Sequence, residues 1–253
     1  MKNTGSRLVL DVGNSRTKCG LFRHGRLIRY AHVPTGEMAR VRTFVGEVRP
    51  EAIVVGSVAH ENAALMELLQ SFGAVRVING TSPSHLINRY RSPETLGADR
   101  WANATGASLL FPTRPVLAIS LGTCVTYDLV NSAGEYLGGI ISPGFRMRAR
   151  AMGEFTARLP VVEPIVDPPD IGTTTIDCLA AGAHHGLGTE LRGTIDRFGQ
   201  QHCGLAVVLT GGDAPRFSRA LENGIFAHPF LTLFGLHALS LSDPQAAGAV
   251  VVR

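Results

Sequence analysis

The amino-acid sequence predicts an α/β fold built from two related halves. Strand-like runs rich in Val, Ile and Leu alternate with helical stretches along the 253 residues, which is the pattern of an α/β protein. A strand, a glycine turn and a second strand occupy 8–22, and the same unit recurs at 116–130. Repetition over such a distance indicates two similar structural units. We therefore expect halves at 1–113 and 114–253, divided at the proline-flanked segment 112–115.

The first half is predicted to hold a β-meander followed by alternating helices and strands. Apolar runs separated by turn residues at 12–15 and at His24-Gly25 predict three adjacent strands that end near residue 33. The later elements are predicted as a helix, a strand, a helix, a strand and a helix of small residues, at 35–48, 52–58, 61–72, 74–78 and 100–110.

The second half repeats the meander and adds two helices. Its third strand is predicted at 136–141, after the recurring unit. A long helix is predicted around 174–198, and a strand at 205–209 leads into Gly211-Gly212. A final helix is predicted after Pro229.

Composition and charge favour a globular protein that binds small anions. Hydrophobic residues make up 45% of the chain and charged residues 17%, which excludes a disordered chain. The net charge is +4 and the pI is about 9.1, so nucleotides are suitable ligands. Nucleic acid is the alternative partner, but the densest basic group, Arg146, Arg148 and Arg150, is too short to form a basic tail. We therefore expect no nucleic-acid partner.

Cysteine usage and hydropathy predict a cytoplasmic protein with no membrane partner. We see no apolar core of a signal peptide and no uninterrupted apolar run of about 18 residues. The cysteines form no CxxC pair and no zinc pattern, so free thiols in a reducing compartment are expected at Cys19, Cys124, Cys178 and Cys203.

Two glycine turns are the first candidates for function. Gly13 in the first half and Gly122 in the second each join two strands, and a residue without Cβ lets a phosphate approach the backbone closely. A single turn of this kind is more often an ordinary hairpin, whereas one turn in each half favours a nucleotide held by both. The sequence has no GxxxxGK[ST] loop, so the chain is not a P-loop enzyme. Gly211-Gly212 offers a third point of close approach, or a simple turn from strand to helix.

Several polar residues each allow two interpretations. Asp11, at the end of an apolar strand, can hold Mg²⁺ through water or cap its own turn. Asp99 can act as a general base or as a helix N-cap. Arg100 can bind an anionic group or lie on the surface. His184-His185 is interpreted as structural or solvent-facing rather than metal-binding, because no HExxH motif or paired acids accompany it.

Taken together, these segments make the sequence resemble the type III pantothenate kinases over nearly its whole length. Asp11 to Ser15 is similar to the first phosphate motif of that family, Asp-x-Gly-Asn-Thr, and Ser120 to Asp128 resembles the second. Five further segments match in the same order: Tyr90 to Pro93 with Leu96 to Arg100, Gly138 to Gly144, Gly172 to Thr175 with Gly182, Thr210 to Asp213, and Leu231 to Leu236. Seven modest matches in one order make the resemblance specific.

The resemblance implies an actin-like, sugar-kinase-like (ASKHA) fold of two RNase H-like domains with a cleft between them, assembled as a homodimer. It implies ATP-dependent phosphorylation of pantothenate to 4'-phosphopantothenate, the first step of coenzyme A biosynthesis. Mg²⁺ would serve as a cofactor, held by Asp11 through water. The family also uses a monovalent cation, K⁺ or NH₄⁺, at the position of Ser120.

The resemblance also implies roles for individual residues. Asp99 would be the catalytic base that accepts the proton of the pantothenate hydroxyl. The residues implied in ATP binding are Asp11, Val12, Gly13, Asn14, Ser15, Arg16, Thr17, Lys18 and Thr123. The residues implied in pantothenate binding are Tyr90, Gly97, Ala98, Asp99, Arg100 and Thr175.

The sequence departs from the family pattern at the cation site. Ser120 stands where the family has an aspartate, and a neutral hydroxyl offsets less of the cost of removing water from an ion than a carboxylate does. We therefore expect a weaker potassium dependence than the family pattern implies. Asp128 or a positively charged side chain could compensate. Ser15, Ser92 and Cys178 are milder departures.

Two other functions stay open at this stage. A regulatory, transcriptional accessory protein would bind nucleic acid, and the strong salt dependence of such binding would reveal it. A related kinase of the same superfamily would phosphorylate a sugar or a small acid instead of pantothenate. The retained phosphate turns and the segment 96–100 favour the pantothenate kinase over both.

Overall fold

The structure is a computed structural model that describes residues 5–57, 63–163, 167–218, 221 and 225–242. The chain forms two compact units, one made of Met1–Leu110 together with Phe230–Arg253 and the other of Phe111–Pro229. The last described helix, at Leu231–Leu241, therefore belongs to the first unit, although it follows the second unit in sequence.

The first unit contains a five-stranded mixed sheet in the order β3-β2-β1-β4-β5. Strands β1 to β3 are antiparallel neighbours, and β4 and β5 continue the sheet in parallel with β1. The strands of this unit are β1 (Ser6–Val12), β2 (Arg16–Arg23), β3 (Arg26–Pro34), β4 (Ala52–Ser57), β5 (Val75–Ile78) and the short β6 (Ile87–Asn88). Its helices are α1 (Met38–Val45), α2 (Ala63–Gln70), α3 (Ala98–Leu110) and α7 (Leu231–Leu241), with a 3₁₀ turn at Pro93–Thr95.

Alternation along the strands sends successive side chains to two different helical layers. Leu10 and Leu21 pack with α1 and α2 in one apolar cluster. Gly20 and Phe22 point the other way, where a Cβ on Gly20 would lie 3.1 Å from Leu233 of α7 and Phe22 stacks on His237 at 4.3 Å. The sheet is thus covered on both faces, and the face under α7 also carries Asp11.

Helices α3 and α7 approach each other so closely that backbone meets backbone. A Cβ on Gly235 would lie 1.8 Å from the carbonyl oxygen of Ala102, and one on Gly106 would lie 3.3 Å from the Cα of Gly235. Only glycine fits at residue 235. The buried contact is completed by a 3.0 Å hydrogen bond from Thr232 Oγ1 to Asn103 Oδ1. The C-terminal helix therefore fixes the position of α3.

The second unit repeats the topology of the first. Five of its strands lie in the order β11-β10-β7-β8-β9, with β7 to β9 antiparallel and β10 and β11 parallel to β7. The strands are β7 (Val116–Leu121), β8 (Cys124–Val130), β9 (Glu135–Pro143), β10 (Ala206–Thr210) and β11 (Ile225–Ala227). The helices are α4 (Phe145–Glu154), α5 (Thr175–Gln201) and α6 (Ala214–Ser218). They pack on one face of the sheet around Ile119, Tyr127 and Leu187. The predicted duplication is confirmed, because a meander followed by parallel strands occurs in both units.

Most predicted elements are confirmed to within a few residues at each end. Val58 of the predicted strand and residues 61–62 of the predicted second helix lie outside the described residues. Helix α4 was not predicted, since its three arginines hide the apolar stripe formed by Phe145 and Ala149. In the part of the chain that the structure describes, no helix combines the length and the apolar character that crossing a membrane requires.

Candidate active site

The first glycine turn joins β1 to β2 in the first unit. Its N–H at Gly13 donates to the carbonyl of Arg16 at 3.1 Å, and a Cβ on Gly13 would lie 3.0 Å from that same oxygen. Asn14, Ser15 and Arg16 are exposed, so their side chains are free to reach a ligand. The neighbours Val12 and Thr17 are buried and anchor the turn in the sheet.

Thr35 supports this turn, although no motif in the sequence points to this residue. Its hydroxyl donates to the carbonyl of Gly13 at 2.8 Å, and its N–H donates to the carbonyl of Ser15 at 3.2 Å. The hydroxyl also lies 3.3 Å from that of Thr17. The sequence signal is weak, because Thr35 stands only at the start of the helix predicted at 35–48 and in no recognisable motif.

Asp11 and Lys18 form an ion pair across β1 and β2. Lys18 Nζ lies 2.9 Å from Asp11 Oδ2, and the two residues are direct cross-strand partners. Asp11 is 7% exposed and belongs to the strand rather than to the turn. A capping role in its own loop, the structural alternative, therefore does not describe its position.

Asp99 is the second residue of α3 and lies in its first turn. An N-cap residue precedes the helix, so the N-cap interpretation does not describe Asp99. Burial raises the pKa of this carboxyl, and the negative charge of Asp11 raises it further. The Arg100 N–H, Lys18 and the Arg100 guanidinium act in the opposite direction and lower the pKa less. A carboxylate with a raised pKa beside a second carboxylate is suited to accept a proton.

Arg100 is buried rather than on the surface, at 6% exposure. Its guanidinium lies 5.6 Å from the centroid of the Tyr90 ring, the arrangement of a cation–π contact. Gly97 and the buried Ala98 lead into the same helix start. The structure thus brings Asp11, Lys18 and Asp99 to one region of the first unit, with Arg100 and Tyr90 adjoining.

The second glycine turn, Gly122-Thr123, joins β7 to β8 in the second unit. The N–H of Gly122 donates to the carbonyl of Cys124 at 3.0 Å. A Cβ on Gly144 would lie 2.2 Å from the carbonyl oxygen of Gly122, and one on Gly211, where φ is +96°, would lie 2.3 Å from that of Leu121. The backbones of three segments therefore meet here without side chains between them, while Thr123 is exposed. Gly211 belongs to a strand-to-helix turn that leads into α6.

Ser120 lies in a cross-strand row of three hydroxyl side chains. Its direct partners are Thr126 on β8 and Thr210 on β10. Thr126 Oγ1 is buried and has no hydrogen-bond partner among the described residues. Asp128 lies two residues beyond Thr126 on β8 and therefore on the same face of the sheet. Its Oδ1 accepts a 2.8 Å hydrogen bond from the buried Tyr136 hydroxyl. No group of three His, Cys, Asp or Glu that could hold a metal occurs within the described ranges.

The remaining predicted residues lie in the second unit. Thr175 is the exposed first residue of α5, and the preceding Thr174 caps the helix by accepting from Asp177 N–H at 3.2 Å. His184 packs in an aromatic cluster, 5.1 Å from the Phe217 ring and 5.8 Å from the Phe145 ring. Burial and then the neighbouring His185 lower the pKa of His184, which fits a neutral packing residue.

The family model and the related sequences described here all carry the same description, type III pantothenate kinase. A family model described as type III pantothenate kinase matches residues 7–197. The type III pantothenate kinase of Bacteroides fragilis is 34% identical over 233 residues, which covers 92% of this chain and 96% of that protein. The protein of the same name from Phocaeicola vulgatus is 35% identical over 239 residues, covering 93% and 98%.

Solved structures show the fold alone, because their identities are low. A protein from Campylobacter jejuni described as a Baf family transcriptional activator has a TM-score of 0.60 at 18% identity and covers 94% of this chain and 99% of its own. A ROK family glucokinase from Streptomyces griseus, solved with glucose and AMPPNP, has a TM-score of 0.54 at 12% identity with the same coverage. The actin-like, sugar-kinase-like fold expected from the sequence is confirmed.

Proposed function

The chain belongs to the type III pantothenate kinase family, and on that premise we propose that it transfers the γ-phosphate of ATP to the primary hydroxyl of pantothenate. The product is 4'-phosphopantothenate, and the reaction is the first step of coenzyme A biosynthesis. The single observation that supports this proposal best is the start of α3. There Asp99 has a raised pKa, and the charges of the Asp11–Lys18 pair act on its carboxyl. The buried Arg100 is the next residue.

We propose the first glycine turn as one phosphate-binding element and Thr123 as another. The turn presents the exposed side chains of Asn14, Ser15 and Arg16, and Thr35 holds its carbonyls in place. Lys18 supplies a positive charge that can move from Asp11 towards phosphate oxygens. Positioning and charge stabilisation provide most of the acceleration in phosphoryl transfer, which suits a site made of turns and single charges.

We propose Asp99 as the residue that accepts the proton of the attacking hydroxyl. The pantothenate oxygen forms a bond to the γ-phosphorus, the bond from that phosphorus to the β–γ bridging oxygen breaks, and ADP leaves. Arg100 is proposed to hold the anionic substrate or to balance the charge on the transferred group, with Tyr90 keeping the guanidinium in place. Gly97, Ala98 and Thr175 complete the proposed pantothenate contacts.

Magnesium and the monovalent cation fit these residues differently. Asp11 is a carboxylate at the end of a strand, suited to hold Mg²⁺ through water, since this ion keeps several waters and binds phosphates directly. When bound, Mg²⁺ neutralises charge on the ATP phosphates. The row formed by Ser120, Thr126 and Thr210 offers only neutral hydroxyls, so the row by itself fits K⁺ or NH₄⁺ less well than a carboxylate would.

We propose that the protein is a cytoplasmic homodimer. Large apolar side chains of the second unit are exposed on α4, on the segment after it and at the start of α5: Met147, Phe155, Val161, Ile171 and Ile176. Exposed apolar side chains of this number are common at contacts between subunits.

A coupled assay of the purified protein with ATP, Mg²⁺ and pantothenate tests the proposed reaction. Steady ADP release with pantothenate, and little release with a panel of sugars and small acids, is expected. Faster turnover with a sugar would replace this proposal with the related kinase of the same fold.

A further inference from the structure

A hydrogen-bonded cluster in the second unit centres on Glu190, which lies outside the proposed site residues. Glu190, on α5, accepts hydrogen bonds from three other elements. Tyr127 of β8 donates to Oε1 at 2.8 Å, and Ser142 of β9 donates to Oε2 at 2.9 Å. Arg148 of α4 pairs with the same Oε2. One carboxylate thus ties two strands and a helix to the long helix.

Arg148 carries this connection to the backbone at the end of β9. Its Nε donates to the carbonyl of Pro143 at 2.9 Å, and its NH2 also donates to Ser142 Oγ at 2.8 Å. The side chains of Arg148 and Glu190 are only 21% and 27% exposed, so solvent screens the pair less than an ordinary surface pair. The guanidinium therefore holds residues 142–143 while the carboxylate holds the guanidinium.

The peptide between Pro143 and Gly144 joins this cluster to the second glycine turn. Its carbonyl accepts from Arg148 Nε, and its N–H donates to the carbonyl of Thr123 at 3.1 Å. A peptide unit is planar, so holding its carbonyl also sets the direction of its N–H. The close approach of Gly144 to Gly122 leaves no room for the turn to move without this peptide.

The protonation states of Glu190 and Tyr127 at neutral pH maintain the hydrogen bonds of this cluster. Burial pushes the pKa of Glu190 up, but the hydrogen bonds from Tyr127, Arg148 and Ser142, with the charge of Arg148, outweigh it and leave the pKa below its ordinary value. Burial and Glu190 raise the pKa of the Tyr127 phenol. The carboxylate is charged and the phenol is protonated at neutral pH.

We propose that Glu190 is a positioning residue for the phosphate-binding turn, acting through Arg148 and the Pro143–Gly144 peptide to fix the carbonyl of Thr123. The proposal rests on the proposed function, because Thr123 is assigned to ATP there. Without the connection, the peptide loses the hydrogen bond at its carbonyl, and the turn, held less firmly, samples orientations that do not match the phosphates.

Three variants distinguish a role of Glu190 and Arg148 in positioning the turn from a role in stabilising the fold alone. Glu190→Gln weakens the bond to Arg148. Arg148→Lys keeps the charge opposite Glu190 but has no Nε–H for Pro143. Glu154→Gln is the matched control, since it removes the Arg150–Glu154 pair at 2.7 Å on the same helix, away from the turn. The readouts are the Kd for Mg·AMPPNP by calorimetry, the KM for each substrate, kcat and the urea midpoint.

We expect Glu190→Gln and Arg148→Lys to raise the Kd for Mg·AMPPNP and the KM for ATP by about tenfold each. The KM for pantothenate should stay within about twofold, and the double variant should be little worse than either single variant, because both act through one connection. Glu154→Gln should bind nucleotide like the wild type. Tyr127→Phe, which leaves the bond between Glu190 and Arg148 intact, should do so too.

Nucleotide affinity that stays normal in Arg148→Lys would overturn the proposal, as would an equal rise in KM for both substrates. A lower urea midpoint with unchanged nucleotide affinity would show that the cluster only stabilises the fold. A wild type that binds Mg·AMPPNP but does not phosphorylate pantothenate would refute the proposed reaction, while the Kd comparison would still decide the role of Glu190. A wild type that binds no nucleotide would refute both.

Discussion

Asp99 suits the role of general base because burial and the charge of Asp11 raise its pKa, and because it lies in the first turn of α3 beside the buried Arg100, which is proposed to hold the substrate. Asp99→Asn removes the proton acceptor while keeping the shape of the side chain. Turnover should fall by roughly two to four orders of magnitude, with little change in nucleotide affinity. Near-normal turnover in the variant would show that the base lies elsewhere.

The same residue predicts the acid limb of the pH–rate profile. The ionised carboxylate accepts the proton, so activity is lost as the pH falls through the pKa of Asp99. Burial and the charge of Asp11 raise that pKa above its ordinary value, so the loss should begin at a higher pH than for an exposed aspartate. Asp11→Asn removes one of the two causes and should move the limb to lower pH, measured as kcat/KM against pH.

The ion pair between Asp11 and Lys18 leads to a separate prediction for Asp11→Asn. Asp11→Asn should weaken the use of Mg·ATP, because the carboxylate proposed to hold the hydrated ion is gone. The melting temperature should change little, since Lys18 is partly exposed and can turn to solvent. The pair would prove structural if the melting temperature dropped sharply while activity stayed normal.

Ser120 predicts a weak dependence on potassium. The hydroxyl row of Ser120, Thr126 and Thr210 carries no net charge, and the carboxylate of Asp128 bonds Tyr136. Activity and melting temperature should respond little to potassium titrated at constant ionic strength against a bulky organic cation. Ser120→Asp should introduce some dependence. Strong activation of the wild type that saturates at low millimolar potassium would contradict this expectation.

At the scale of elements, α7 decides where α3 lies. Gly235→Ala would place a Cβ 1.8 Å from the Ala102 carbonyl oxygen and force the two helices apart. The expected loss is about 1–3 kcal/mol of unfolding free energy. Activity should fall as well, because α3 carries Asp99 and Arg100. Gly193→Ala is the control: it lies on an exposed face of α5 with no atom within 4 Å, and should be neutral or slightly stabilising.

The packing of α7 on the sheet also predicts a pH dependence of stability. Burial, and to a lesser degree Arg7, lowers the pKa of His237 to about 4, while an unfolded histidine titrates near 6.5. The unfolded state therefore binds the proton more readily, and stability should decline as the pH falls from about 6.5 towards 4. Urea unfolding of His237→Leu should show a shallower decline, whereas His24→Gln, at an exposed hairpin, should follow the wild type.

At the scale of the whole molecule, the exposed apolar side chains of the second unit predict self-association. Light scattering should give about twice the chain mass of 26.9 kDa. Phe155 and Ile171 are 85% and 82% exposed, so serine at both positions should shift the protein towards the monomer. Ile28→Ser, in the first unit, is the control. A monomeric wild type at micromolar concentration would refute the proposed dimer.

The sequence by itself determined most of the strands, the two glycine turns and the duplication, because these depend on local properties; the short strands β6 and β11 were not predicted. Alternating apolar residues specify a strand, and glycine between two strands specifies a close turn, whatever surrounds them. For the same reason the sequence singled out Asp11 and Asp99, whereas Ser120 was identified through the resemblance to the family, as a departure from its pattern.

Only the tertiary structure decided which residues support those turns. Thr35 bonds Gly13 from 22 positions away, α7 packs on α3 from the far end of the chain, and Glu190 reaches Arg148 from 42 positions away. Such contacts depend on how helices pack on a sheet, and no local pattern encodes them. The raised pKa of Asp99 has the same origin, because burial and the charge of Asp11 act through space.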